Sequence, residues 1–125
     1  MEAVVATVQV LVRPIALCFN PQENKVYCAN REGYQVSVID CNRDSVIATL
    51  LAGSRPGPLC YNSQDNKVYC GITPQFPPVY DSTVTVICGA GDSVITTVVA
   101  GNGPGSLCYD SQSNRVFAAN EGSDD

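Results

Sequence analysis

The sequence contains no histidine, which excludes histidine-ligated zinc, copper or haem and every histidine-based acid–base scheme within this chain. Basic residues are also few, with 7 Lys and Arg against 12 Asp and Glu and a net charge of −5. Because the phosphates of a nucleic acid require a basic surface, this balance argues against a nucleic-acid partner. No segment approaches the roughly 20 consecutive apolar residues that cross a bilayer as a helix, so we expect no membrane span.

Cysteine, in contrast, is abundant, but its spacing is not that of a metal site. Seven cysteines in 125 residues form an odd set that cannot pair completely within one monomer. The spacing Cys-x-x-Cys does not occur, which removes the zinc-ribbon and thioredoxin-type interpretations. Because a cysteine nucleophile requires a base and no histidine is present, we expect no catalytic residue, no metal and no cofactor in this chain.

An internal repeat organises the sequence. The segment Arg13–Cys28 matches Arg55–Cys70 at an offset of 42, with eleven of sixteen positions identical, and the unit returns at Gly103–Ala118 after a further 48 residues. Within each unit, short runs of Val, Ile, Leu and Tyr alternate with clusters of turn-forming residues, and no helical period occurs. Four short strands at such a period are typical of β-propeller blades.

The first complete unit predicts four antiparallel strands: A (Ile15–Phe19), B (Lys25–Ala29), C (Gln35–Ile39) and D (Ser45–Leu50). The predicted fold is therefore all-β, a single β-propeller segment (residues 1–125) of about two and a half blades with the strand order D-ABCD-ABCD-AB. Its divisions are strand D of a preceding blade (1–12), two complete blades (13–54 and 55–102) and a partial blade (103–125).

The segment Asn24–Asn30, followed by Val36–Asp40 and Ser45–Thr49, resembles the YVTN family of β-propeller repeats. The resemblance covers nearly the whole chain and implies surface-layer, extracellular or periplasmic proteins more often than cytosolic ones. It also points to distant enzymes, namely lactonases, amine dehydrogenase subunits and nitrous oxide reductase. This chain departs from the family in its cysteine content, and its lack of histidine removes the copper and haem ligation that the redox relatives require.

The predicted strands are too few to close a ring, because a propeller needs about four to eight four-stranded blades. We therefore expect either a portion of a longer protein, or copies that close a ring or stack into a filament. The leading functional hypothesis is a non-catalytic structural or interaction module of an extracellular surface, with self-association, protein or carbohydrate as partners. The alternative is a fragment of a larger, lactonase-like propeller enzyme or of a ligand-binding propeller, whose site lies in blades absent here.

Candidate binding residues lie in the B–C and D–A loops, which share the face of a propeller that usually binds ligands. The B–C loop of the second unit is six residues longer than that of the first and contains three prolines, which would stiffen it for presenting Phe76 and Tyr80 to a partner. Tyr34 stands in the shorter loop. Arg13 and Arg55 occupy equivalent D–A positions, where two guanidinium groups would bind an anion. The alternatives are a tolerated surface insertion and arginines that are solvated or paired with a nearby Asp.

The cysteines recur at equivalent positions, with Cys18 and Cys60 in strand A and Cys28 and Cys70 in strand B. A register that places Cys18 opposite Cys28 would allow a disulfide within each blade. A four-residue turn would instead place Cys18 opposite Tyr27, with the two thiols on opposite faces of the sheet. The other interpretation is a small buried apolar side chain, a common role of free cysteine.

Overall fold

Two four-stranded sheets and one two-stranded sheet, all antiparallel, make up the residues that the computed structural model describes, namely 7–73, 83–101 and 103–120. Blade 1 consists of β1 (Pro14–Asn20), β2 (Lys25–Asn30), β3 (Gln35–Asp40) and β4 (Ser45–Leu51). Blade 2 consists of β5 (Pro56–Asn62), β6 (Lys67–Ile72), β7 (Thr83–Cys88) and β8 (Ser93–Val99). Blade 3 consists of β9 (Pro104–Asp110) and β10 (Arg115–Asn120). Among these residues there is no helix that could cross a membrane.

The predicted strands A to D correspond to β1 to β4, and their boundaries differ by at most one residue. In each blade every strand pairs with its neighbour in the chain, as in a meander. Buried side chains of blade 1 and blade 2 belong to one apolar cluster, so that the sheets stack face to face. The prediction of an all-β fold built of propeller blades is therefore confirmed.

The turn between the first two strands of each blade sets the register. Its last residue has a left-handed backbone, which asparagine adopts at lower cost than most residues. In blade 1 the buried Asn20 also accepts a hydrogen bond from the backbone N–H of Glu23 at 3.1 Å. The four-residue turn places Cys18 opposite Tyr27. The left-handed residues at these turns are Asn24, Asn66 and Asn114, with φ of 52°, 53° and 55°.

The main core lies between blade 1 and blade 2. Because side chains alternate along a strand, every second one faces the neighbouring blade. Leu59 and Tyr61 of β5 are partly buried against this core. The aromatic and apolar residues that recur at the blade period therefore fill the space between sheets. The buried members are Tyr27, Val36 and Val38 of blade 1, Ala52 of the following loop, and Val68, Cys70, Ile72 and Ile87 of blade 2.

The repeat places the predicted strand D of residues 1–12 at Val4–Val8, most of which lies outside the described residues, so this prediction stays a prediction. The described residues 7–12 form no strand. Val8 and Val10 lie instead along one side of blade 1, where they line a groove. Residues 1–6 of the predicted strand, residues 74–82 of the long B–C loop and residues 121–125 lie outside the described residues.

Candidate functional site

The loops that lead into the first strand of each blade share one backbone geometry. Arg13 and Arg55 have left-handed φ of 56° and 50°, and Gly103 takes the third equivalent position with φ 67°. The carbonyl oxygens of Arg13 and Arg55 accept hydrogen bonds from the backbone N–H groups of Arg31 and Thr73, at 3.0 and 3.4 Å. A left-handed arginine costs roughly 1–2 kcal/mol, so these hydrogen bonds hold a conformation that glycine adopts freely in the third repeat.

The side chain of Arg13 is paired with an acid, but the partner is Glu32 and not the Asp that one interpretation of the sequence expects. Its Nη1 donates to Oε1 of Glu32 at 2.8 Å, and both side chains are more than half exposed. Such an exposed pair contributes at most about 1 kcal/mol to stability. Arg55 is half-buried, and the anion site predicted from the two guanidinium groups stays a prediction.

A small cavity of about 210 Å³ lies at the same end of the blades, between their first strands. Arg31 and Thr73 line it together with Gly57 and Gly105. Within the described residues, Nε of Arg31 is buried and has no hydrogen-bond partner. Arg31 is not among the residues predicted from the sequence, although its position directly after strand B, equivalent to Thr73, indicates that it lies at the end of the blades.

Of the three candidate aromatic residues, the structure describes one. Tyr34 has a left-handed φ of 60° and a side chain that is 42% exposed. Its carbonyl oxygen accepts a hydrogen bond from the backbone N–H of Ala52 at 3.2 Å, which ties the B–C loop to the end of the blade. Phe76 and Tyr80 lie outside the described residues, so their role stays a prediction.

The disulfides Cys18–Cys28 and Cys60–Cys70, one of the two alternatives, are not formed. Cys18 lies opposite Tyr27 and Cys60 opposite Tyr69, so the two thiols of each blade lie on opposite faces of the sheet. All seven cysteines are free. Burial raises the pKa of Cys18 to about 11. Burial also raises the pKa values of Cys60 and Cys70, to about 12 each, so these groups are unreactive thiols at neutral pH.

A ladder of asparagine side chains joins the blades at the end opposite to the arginines. The Nδ2 group of Asn20 donates to Oδ1 of Asn66 at 3.0 Å, and Nδ2 of Asn62 donates to Oδ1 of Asn114 at 3.0 Å. Asn20 and Asn62 are fully or almost fully buried, so these bonds satisfy groups that would be costly to leave unpaired. Asp110 stands at the equivalent position of the third repeat and carries no amide donor.

A largely buried ion pair lies next to this ladder. Nζ of Lys25 in blade 1 contacts Oδ2 of Asp92 in blade 2 at 2.8 Å, and the two side chains are 14% and 13% exposed. The hydroxyl of Tyr27 donates to Oδ1 of Asp92 at 3.2 Å and to the carbonyl oxygen of Gly89 at 3.4 Å. Burial, and then the charge of Asp92, raise the pKa of Tyr27. One turn of blade 2 thus contacts the side chains of Lys25 and Tyr27, the two residues of β2 that present a polar group to blade 2 there.

The outermost sheets leave two apolar faces open within the described residues. On blade 1, the head face bears Leu17 and Phe19, which are 70% and 53% exposed. A groove of about 720 Å³ on this face is lined in part by Val26, Cys28, Ile39, Cys41 and Asp44. On blade 3, the tail face consists of Ser106, Cys108, Arg115, Phe117 and Ala119, all exposed.

No protein-family model matches the chain, and the comparison with curated proteins gives no match. Among solved structures the chain is similar to hydrazine synthase of Kuenenia stuttgartiensis, with a TM-score of 0.84 and 21% sequence identity. The match covers 97% of this chain and 34% of that chain, so this chain spans about a third of the length of its structural neighbour. A likeness at this identity shows the fold alone, and the YVTN resemblance stays an expectation from the sequence.

Proposed function

We propose that this chain is a non-catalytic structural module of YVTN-type β-propeller blades, which belongs to an extracellular surface or filament and binds further blades through its head and tail faces. The main support is the exposure of apolar side chains on the head face. Leu17 and Phe19 on the head face are 70% and 53% exposed. Leu59 and Tyr61, at the equivalent positions of blade 2, are partly buried because blade 1 covers them.

The head face bears large apolar side chains at the positions that a neighbouring blade covers in blade 2. Burying a leucine or phenylalanine side chain contributes roughly 1.5–3 kcal/mol each. Contiguous exposed apolar patches on a soluble protein mark binding surfaces more often than single exposed residues do. A blade that stacks on the head face would bury Leu17 and Phe19 in the way that blade 1 buries Leu59 and Tyr61. The extracellular assignment rests on the family resemblance alone.

The test is the mass of the purified chain in solution, measured by light scattering over a wide range of concentration. Leu17→Asp places a charge on the head face, and Ile95→Asp places the same charge on β8, the outer strand of blade 2, where Ile95 is 49% exposed. We expect an assembly of several chains that Leu17→Asp dissociates and Ile95→Asp leaves intact. A wild-type chain that is monomeric throughout, or a Leu17→Asp variant that assembles normally, would contradict the proposal.

A second candidate function is the binding of a small anion or carboxylate, and the position of Arg31 favours it. Its Nε is buried without a partner beside a cavity of about 210 Å³, and a carboxylate would accept a charge-assisted hydrogen bond there. Calorimetric titration with acetate and with inorganic phosphate tests this function. Heat of binding that disappears in Arg31→Gln supports it, and absence of heat in the wild-type chain contradicts it.

A further inference from the structure

We infer that the partner of the head face is the tail face of a second copy of this chain, docked so that Phe117 enters the groove and Arg115 pairs with Asp44 of the next copy. This inference rests on the proposed function and names its partner. The contact is head-to-tail and joins identical chains.

The contact between blade 1 and blade 2 provides the template. There, Lys25 at the start of β2 reaches Asp92 in the turn that precedes β8, at 2.8 Å. Tyr27, two residues further along β2, directs its hydroxyl to the same aspartate at 3.2 Å. The blade therefore presents one cation and one aromatic ring to an acidic turn of its neighbour.

Each part of this contact has an equivalent on the open faces. Arg115 and Phe117 occupy in β10 the positions of Lys25 and Tyr27 in β2. On blade 1, Asp44 ends the turn before β4 with φ 51°, as Asp92 ends the turn before β8 with φ 52°. The tail face thus carries the cation and the ring, and the head face carries the acid.

Neither Arg115 nor Asp44 forms an ion pair within the described part of the chain. Arg115 and Asp44 are both exposed. Asp44 lines the apolar groove together with Ile39 and Cys41. An unpaired acid that lines an apolar groove is complementary in charge to an unpaired cation beside an exposed phenylalanine.

The two open faces differ from the contact between blade 1 and blade 2 at two positions that touch each other in that contact. Between blade 1 and blade 2, Asn20 donates to Asn66 at 3.0 Å, and a Cβ on Gly89 would lie only 2.8 Å from Nδ2 of Asn20. On the open faces Asp110 stands in place of Asn20, and Cys41 in place of Gly89.

Asp110 accepts hydrogen bonds from Gln112 and Ser113 within its own turn and has no amide to donate to a neighbour. The position of Asn66 is still an asparagine on the head face, Asn24, so only the donor side of the asparagine contact and the neighbouring glycine are changed. The contact between copies then depends on the apolar groove and the ion pair. The hydrogen bond between asparagine side chains would therefore occur at contacts between blades of one chain and be absent from the contact between two copies.

A head-to-tail contact uses two different surfaces, so repetition of the contact generates a ring if the rotation closes and a filament if it does not. It also permits a charge-swap experiment. Arg115→Asp leaves an acidic tail and an acidic head, whereas Asp44→Arg leaves a basic tail and a basic head. Each variant alone therefore opposes like charges, but in a mixture every tail meets a head of opposite charge.

The experiment measures assembly of the full chain by sedimentation velocity. We expect each single variant to associate about thirtyfold more weakly than the wild-type chain, the loss typical of an interfacial charge pair. An equimolar mixture of the two variants, and the double variant Asp44→Arg/Arg115→Asp, should regain assembly. Lys67→Asp, which makes the same change at the equivalent position of β6, is the matched control and should assemble normally.

Other outcomes separate the inference from the proposed function. If the single variants assemble like the wild-type chain, or if their mixture stays dissociated, the head-to-tail contact is wrong. The proposed function then stands only if Leu17→Asp still dissociates the assembly. If Asp44→Arg does not fold, as circular dichroism would show, Asp44→Asn keeps the turn and removes the charge. Full assembly of Asp44→Asn would likewise overturn the inference.

Discussion

At the scale of single residues, Gly89 in the turn before β8 is the most tightly packed of the described glycines, because it meets the Asn66 backbone of its own blade and the Asn20 side chain of blade 1. A Cβ added to Gly89 would lie 2.7 Å from the backbone oxygen of Asn66 and 2.8 Å from Nδ2 of Asn20. Neither neighbour can move cheaply, because one is backbone and the other is a fully buried amide. Because Gly89 has no side chain, the asparagine ladder can lie in direct contact with the turn before β8.

We therefore expect Gly89→Ala to lower the free energy of unfolding by about 2 kcal/mol, as overpacking does. Gly91→Ala, in the same turn, is the matched control, because its Cβ would meet only Ser93 at 3.7 Å and Cys88 at 3.8 Å. Urea unfolding followed by circular dichroism measures both values. Equal stability of the two variants would show that the approach at Gly89 is not limiting.

At the scale of elements, the first strands of blade 1 and blade 2 bury thiols, and we therefore expect the free energy of unfolding to depend on pH. Burial raises the pKa of Cys18 to about 11 and that of Cys60 to about 12, from 9.0. Because the folded pKa is higher than the unfolded one, the unfolded chain loses these protons first as the pH rises. The stabilisation is complete below pH 9 and decreases as the pH rises through the folded pKa values of about 11 and 12.

The measurement is the urea midpoint between neutral pH and strongly alkaline pH, in the presence of a reducing agent. We expect the midpoint to be constant up to about pH 9 and then to fall, and Cys60→Ala to show a shallower fall because one linked proton is removed. Cys108→Ala, which removes an exposed thiol of the equivalent strand, is the control. A fall of equal steepness in Cys60→Ala would mean that its thiol is not linked to folding.

The elements themselves follow from the sequence, because the repeat aligns every strand with its equivalents. Strands A to D differ from β1 to β4 by at most one residue at each boundary. The alternation of short apolar runs with clusters of turn-forming residues was therefore sufficient to locate these strands.

The contacts between blades were not predictable in the same way. Lys25 and Asp92 are 67 residues apart, and the sequence indicates only that the aspartate belongs to a hairpin turn. Which turn receives a side chain depends on how far one blade is rotated against the next, and the repeat period does not contain that information. For the same reason Arg31, which lies in a loop, gave no sign that its Nε would be buried beside a cavity.

At the scale of the whole molecule, we expect blade 3 to have the lowest local stability in the described structure. It has two strands where blades 1 and 2 have four, and isolated two-stranded sheets are marginally stable in water. One face of β9 and β10 packs on blade 2, where Val116 and Ala118 line a pocket with Val84 and Val86. The opposite face is the tail face, with Phe117 55% exposed.

If a second copy covers the tail face, blade 3 should gain protection only on assembly. We expect the amide protons of β9 and β10 to exchange more slowly with deuterium as the protein concentration rises, while those of β6, in the covered interior of blade 2, stay unchanged. The gain follows from mass action, because binding to the folded state alone suppresses local opening. In the dissociated variant Arg115→Asp, exchange from β9 should be independent of concentration. Concentration-dependent protection confined to β4 and β8, with none in blade 3, would place the contact on the outer strands instead.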